Sequence, residues 1–136
     1  MTDTSDSPKV SKTDAEWKET LSAEEYRVTR LAGTELPYTG ELLNNKATGN
    51  YVCKCCGAKL FESDAKFDSG CGWPSFYEQS EEANVTYKED NSLGMRRVEI
   101  LCKQCDAHLG HVFNDGPAPT GQRYCVNSVS MSFEEK

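Results

Sequence analysis

The chain changes character near residue 50, where helical spacing of apolar positions gives way to short runs with a period of two. Upstream, Thr13 with Glu16 and Ser22 with Glu25 each fit a capping box. In that motif a hydroxyl and a carboxylate satisfy the free backbone donors of a helix start. Trp17 and Leu21 stand one turn apart, as do Tyr26 and Arg30, and Gly33 suits a left-handed residue after the second helix. The spacing predicts two short helices packed on the outside of something else. Residues 1–12 carry no periodic apolar pattern and are expected to form a flexible tail.

Downstream, the β-prone runs are Tyr51-Val52, Leu60-Phe61, Val85 to Lys88, Arg96 to Leu101, His111 to Phe113, Arg123 to Asn127 and Val129 to Phe133. Gly, Pro, Asn and Asp separate them. Alternation is clearest where Val129, Met131 and Phe133 oppose Ser130 and Ser132. Asn91 to Gly94 and Asn114 to Gly121 read as turns or loops. These patterns predict a mainly β, antiparallel domain with a short helical preface, occupying residues 13–136 as one unit.

Composition sharpens this picture in two ways. The length of 136 residues supports one domain, and a hydrophobic content of 37% leaves it a modest core that needs help. The seven cysteines are where that help is sought. A formal net charge of -7 disfavours nucleic acid, whose phosphates an acidic surface repels. No run approaches the roughly 18 apolar residues of a membrane span, and Met1 to Lys12 lacks the apolar stretch of a secretory signal. The expectation is a soluble, cytoplasmic protein, taken as a monomer. In a reducing compartment, cysteines point to metal or catalysis ahead of disulfide staples.

Four of the seven form two Cys-x-x-Cys units, Cys53 with Cys56 and Cys102 with Cys105. Two intervening residues let one tight turn aim both sulfurs at a single ion, and two such turns complete a tetrahedral thiolate site. Each unit follows a strand-like run, so a structural zinc would join distant parts of the sheet. Two disulfides or buried thiols are the plainer alternative, and spacing alone does not exclude iron. Gly57 after Cys56 permits the positive φ of such a turn, which favours Cys56 over Cys55 as ligand. Cys55 is assigned as a spare thiol.

Cys71 and Cys125 remain. Alternation places Arg123, Cys125 and Asn127 on one strand face, a polar, electropositive setting that favours a reactive thiolate. Cys71 lies between Gly70 and Gly72, whose freedom suits a resolving thiol that must travel to its partner. A turn cysteine without chemistry is the plainer reading. His108 and His111 are the only histidines. Two zinc ligands or solvated loop histidines are the plainer reading, but four cysteines already fill a zinc shell, which favours acid–base work or substrate orientation.

The segments Gly70 to Phe76 (GCGWPSF), His108 to Phe113 (HLGHVF) and Arg123 to Ser128 (RYCVNS) resemble the signatures of the methionine-R-sulfoxide reductases, the MsrB family. The resemblance runs from about Thr34 to Phe133 and includes Asp115-Gly-Pro and Pro119-Thr-Gly121. It implies two antiparallel β-sheets, with a structural zinc in many members. It further implies Cys125 as nucleophile and Cys71 as resolving thiol. Trp73 would wall the pocket for the substrate S-methyl group, assisted by Phe113, with Arg123 beside them. His111, His108 and Asn127 would orient the sulfoxide oxygen and protonate it. The implied partners are oxidised methionine in proteins or peptides, and thioredoxin as reductant. A non-catalytic zinc module and a thioredoxin-like oxidoreductase are the alternatives. The first leaves Cys71, Trp73 and Cys125 without a reason, and the second lacks a surrounding βαβ pattern.

Overall fold

In the computed structural model, residues 13–91 and 96–135 are described. The expected tail and most of the Asn91 to Gly94 turn lie outside them. Helices α1 (Asp14–Thr20) and α2 (Ala23–Arg30) begin at the two expected capping boxes. Glu16 N–H donates to Thr13 Oγ1 at 3.2 Å and Glu25 N–H to Ser22 Oγ at 3.1 Å. Trp17, Leu21 and Val28 are buried against the β domain, and the Arg30 guanidinium lies 4.4 Å over the Trp17 ring. One detail differs from expectation. The left-handed residue after α2 is Ala32, with φ +58. At Gly33 a Cβ would fall 3.0 Å from Arg27 O and 2.6 Å from Arg27 Nη1, the end of a flexible side chain that can yield.

Among the described residues nine strands follow: β1 (Gly49–Cys53), β2 (Lys59–Glu62), β3 (Lys66–Phe67), β4 (Ser75–Phe76), β5 (Val85–Asp90), β6 (Arg97–Cys102), β7 (His108–Phe113), β8 (Arg123–Val126) and β9 (Met131–Glu135). They form two antiparallel sheets, in the orders β2-β1-β9 and β3-β4-β8-β7-β6-β5. The core lies between the sheets, where Phe61 stacks on Phe76 at 4.3 Å and Tyr51 meets Phe76 edge-on at 5.0 Å. Aromatic pairs of this kind add to the area they bury. No helix among the described residues is long and apolar enough to cross a membrane.

The last run is shorter than its alternation predicts. Ser128–Ser130 makes a 3-10 turn and the strand begins at Met131. Ser130, placed by the pattern on the polar face, is fully buried, and its hydroxyl donates to His108 O at 2.9 Å. A satisfied hydroxyl can occupy a core position, so the period-two pattern misassigns it.

The six-stranded sheet separates two chemistries by its pleat. Phe76, Ile100, Tyr124 and Val126 turn one face to the core. The register pairs Ser75 and His111 with Cys125, Arg123 with Phe113, Glu99 with His111, and Arg97 with Asp90. Because alternate residues share a side, these groups fall on the other face. An irregularity in register between Ile100 and Leu101 brings His108 to the same side, its ring 5.7 Å from that of His111.

Candidate active site and metal centre

The strands β1 and β6 each run into a Cys-x-x-Cys turn closed by the same backbone bonds. Cys53 N–H donates to Ala58 O and Gly57 N–H to Cys53 O, both at 2.8 Å. In the second turn Cys102 N–H donates to Ala107 O at 2.9 Å and Asp106 N–H to Cys102 O at 2.8 Å. The left-handed closing residue is Gly57 at φ +80 in one and Asp106 at φ +66 in the other. Aspartate tolerates this region better than most side chains, so the second turn manages without glycine. Arg30 of α2 braces it, donating to Cys105 O at 2.7 Å.

The two turns bring the sulfurs of Cys53, Cys56, Cys102 and Cys105 within 4.8 Å of one another. The Cys53–Cys105 and Cys56–Cys102 separations are both 3.6 Å. Tetrahedral coordination at a metal–sulfur distance near 2.3 Å requires sulfurs about 3.8 Å apart. The donor set therefore fits a tetrahedral metal ion with little adjustment. Cys55 lies outside the set, half-buried.

The other thiol pair sits on the polar face of the large sheet. Cys71, from the loop between β3 and β4, places its Sγ 3.0 Å from Cys125 Sγ. The hydroxyls of Ser69 at 3.0 Å and Ser75 at 3.4 Å surround the same sulfur. Gly70 and Gly72 carry φ values of +80 and +95, so the glycines flanking Cys71 are required by the turn itself. Contact with Cys125, followed by the two serine hydroxyls, holds the Cys71 thiol down to about 4 against the opposing effect of burial. The reciprocal contact, then burial, pushes Cys125 up. Arg123 acts on Cys125 in the direction its neighbourhood predicts, but more weakly.

A cavity of about 270 Å³ opens beside these sulfurs, lined by Trp73, His111, Phe113, Arg123 and Asn127. Arg123 is fixed from two sides, by Asp115 at 2.8 and 3.2 Å and by the Phe113 ring beneath its guanidinium at 4.5 Å. The Trp73 indole N–H donates to Glu35 O at 3.1 Å. Asn127 is tied down: its Oδ1 accepts from Glu35 N–H at 3.0 Å and its Nδ2 donates to Leu109 O at 3.1 Å. Of the residues predicted for catalysis or substrate binding, His108 alone does not line the cavity. It lies behind His111, buried, with Nδ1 2.6 Å from Glu99 Oε2. Burial, opposed by the Glu99 carboxylate, lowers its pKa. His111 Nε2 lies 2.7 Å from Asp90 Oδ2, which also accepts from Arg97 Nη2 at 3.3 Å.

Several residues of this site carry no local sequence signal. Asp90 and Glu99 sit on strands where alternation alone marks them as surface positions. Ser75 is recognisable only once β4 is known to pair with β8. Glu35 is a buried carboxyl whose Oε1 accepts from Val129 N–H at 2.9 Å while its Oε2 has no hydrogen-bond partner. Burial is the main cause that raises its pKa.

Two thiols in contact beside an indole-walled cavity, with a carboxylate-bound histidine across the strand, are groups suited to thiol redox chemistry. Residues 21–135 match the SelR domain family. The chain is 68% identical over 119 residues to the peptide methionine sulfoxide reductase MsrB of Alteromonas mediterranea, covering 88% of this chain and 84% of that one. The protein of the same name from Acinetobacter baumannii is 59% identical over 126 residues, or 93% and 91% of the two chains. That of Hahella chejuensis is 59% identical over 125 residues, or 92% and 90%. The chain belongs to the SelR family, the MsrB-type methionine sulfoxide reductases that its sequence segments resemble.

Proposed function

We propose that this chain reduces the R epimer of methionine sulfoxide in peptides and proteins, using Cys125 as nucleophile and Cys71 as resolving thiol. The observation that carries the reading is the 3.0 Å Sγ–Sγ contact at the edge of a cavity walled by Trp73 and bearing His111. The names of the relatives supply the substrate class, and the family resemblance supplies the epimer.

The closed pair is a resting state. When Cys71 swings aside, the cavity gains room for the substrate and Cys125 loses the contact that pushes its pKa up. Arg123 then dominates its surroundings and favours the thiolate. Cys125 Sγ attacks the electrophilic sulfoxide sulfur while His111, steadied by Asp90, protonates the oxygen. The oxygen then passes to Cys125 Sγ as the sulfur–oxygen bond and the new sulfur–sulfur bond break. Methionine thus leaves with two electrons taken from Cys125, which becomes a sulfenic acid. Condensation with the Cys71 thiol forms the disulfide and releases water. A dithiol protein of the thioredoxin type, available in the cytoplasm, then returns both cysteines to thiols. Trp73 and Phe113 supply the apolar wall for the S-methyl group, and Asn127 and His108 act by position.

Zinc is the ion proposed for the four-thiolate centre, where it would supply a redox-inert cross-link. Cys53, Cys56, Cys102 and Cys105 would hold it, apart from the chemistry. The decisive experiment replaces Cys125 by Ser and assays an R-sulfoxide peptide with dithiothreitol. Reduction should vanish while metal content is unchanged. Full activity in that variant would refute the assignment.

A further inference from the structure

Tyr38 has a φ of +67, in the left-handed region that a bulky side chain adopts only where its surroundings enforce it. Two bonds do the enforcing. Its N–H donates to Gly72 O at 2.7 Å and its phenol donates to Gly70 O at 2.8 Å. One residue thus grips the carbonyls on both sides of Cys71. Core packing does not account for this, because Tyr38 is 68% exposed.

The loop it grips is asymmetric. A Cβ at Gly72 would fall 2.7 Å from Pro37 Cβ, whereas one at Gly70 would meet nothing within 4 Å. The Gly72 side is therefore held by packing, and the Gly70 side lies in open space, tied by the Tyr38 phenol. Tyr38 in turn stands on a fixed base. Glu35, three residues earlier, is clipped to Asn127 and Trp73 through its own N–H and C=O.

Cys71 must do two incompatible things. It must clear Cys125 for the substrate, and it must then return to bonding distance. We propose that Tyr38 is the latch of the resolving loop, a positioning residue whose bonds to the Gly70 and Gly72 carbonyls bring Cys71 back onto oxidised Cys125. The inference rests on the reductase reading given above. In the step concerned, the Cys125 sulfenic acid and the Cys71 thiol form one disulfide and one water. Tyr38 exchanges no atoms; it sets how often the two sulfurs meet.

A single turnover of the full, reduced chain with one equivalent of an R-sulfoxide peptide, without external reductant, yields two rates. Methionine release reports the attack. The Cys71–Cys125 disulfide, followed by peptide mapping, reports closure, and a dicarbonyl probe traps the sulfenic acid in between. Tyr38→Phe keeps the ring and deletes the phenol bond. It is expected to slow closure about fivefold, the loss typical of one net hydrogen bond, without slowing methionine release. Tyr38→Asn keeps a side chain that tolerates the left-handed backbone but cannot reach Gly70, and should slow closure at least as much. Probe-trapped sulfenic acid should rise in both. Closure at the parent rate in both variants overturns the latch. So does an equal slowing of release and closure, the mark of a merely structural prop. If the parent chain releases no methionine, the reductase reading falls and the latch with it. If it turns over and the variants match it, the latch alone falls.

Discussion

The molecule holds two sets of sulfurs, four arranged as a donor set for a metal ion and two in contact beside a cavity, and the turns that carry them differ. At the metal centre, each Cys-x-x-Cys turn closes on itself through backbone bonds, and three of the four ligands are buried. At the thiol pair, Cys125 sits on a strand while Cys71 rides a loop held by its own Ser69, by Ser75 at the start of β4 and, from another part of the chain, by Tyr38. Self-closing turns fix four donors around one point and leave them nothing to do but bind. A loop tied by side-chain bonds can be released and regained, as the resolving role proposed for Cys71 requires.

The largest expected effect tests whether the two sulfur sets are separable. Cys125→Ser should remove sulfoxide reduction to background, roughly a thousandfold or more for loss of a nucleophile, with the melting temperature nearly unmoved in a thermal scan. Cys102→Ser should do the reverse. The metal, expected at about one ion per chain for a closed four-thiolate site, should be lost by elemental analysis, and cooperative unfolding with it. If either variant showed the other's behaviour, the division would collapse.

Cys71→Ser sharpens the comparison within the thiol pair. Turnover with dithiothreitol should persist and turnover with thioredoxin should stop, because a small thiol can reach the sulfenic acid where a protein disulfide partner cannot. Turnover with both reductants would assign resolution elsewhere, with Cys55 the first place to look.

Two smaller effects concern the surroundings. Asp106→Gly would give the second metal turn the closing residue of the first. Relief of about 1 kcal/mol of left-handed strain, less the added chain entropy of glycine, should raise stability by about 0.5 kcal/mol in denaturant melts. Glu35 predicts a pH signature. Its folded pKa is raised above the unfolded value, so its contribution is fullest at low pH and declines as pH rises from near 4.5 towards the folded value. Glu35→Gln should flatten that part of the stability profile. An unchanged slope would mean that another group sets it.

Much of this was legible in the sequence because the signals were local. Both capping boxes, the runs that became β1, β2 and β5 to β8, and the two metal turns are specified within a few residues of chain. What escaped depends on distant partners. The two-residue strands β3 and β4 exist only because β8 offers an edge to pair with. Ser130 is buried because His108 O receives its hydroxyl. Asp90 and Glu99 become part of the site only when β5, β6 and β7 align. The electrostatics of Cys125 were half legible. Arg123 is two residues away and visible, but Cys71, whose contact outweighs it, comes from another part of the chain.

The order of the cysteines along the backbone has a consequence for the denatured chain. A metal-bridged pair such as Cys53–Cys105 encloses Cys71, whereas Cys125 lies beyond it, so a disulfide between 71 and 125 would close a second ring overlapping the first. Each ring removes configurations from the unfolded ensemble. Overlapping rings leave no residue between 53 and 125 outside a closed circuit. The oxidised, metal-loaded form should therefore be the hardest to unfold, and each round of reduction should return some of that slack to the polymer.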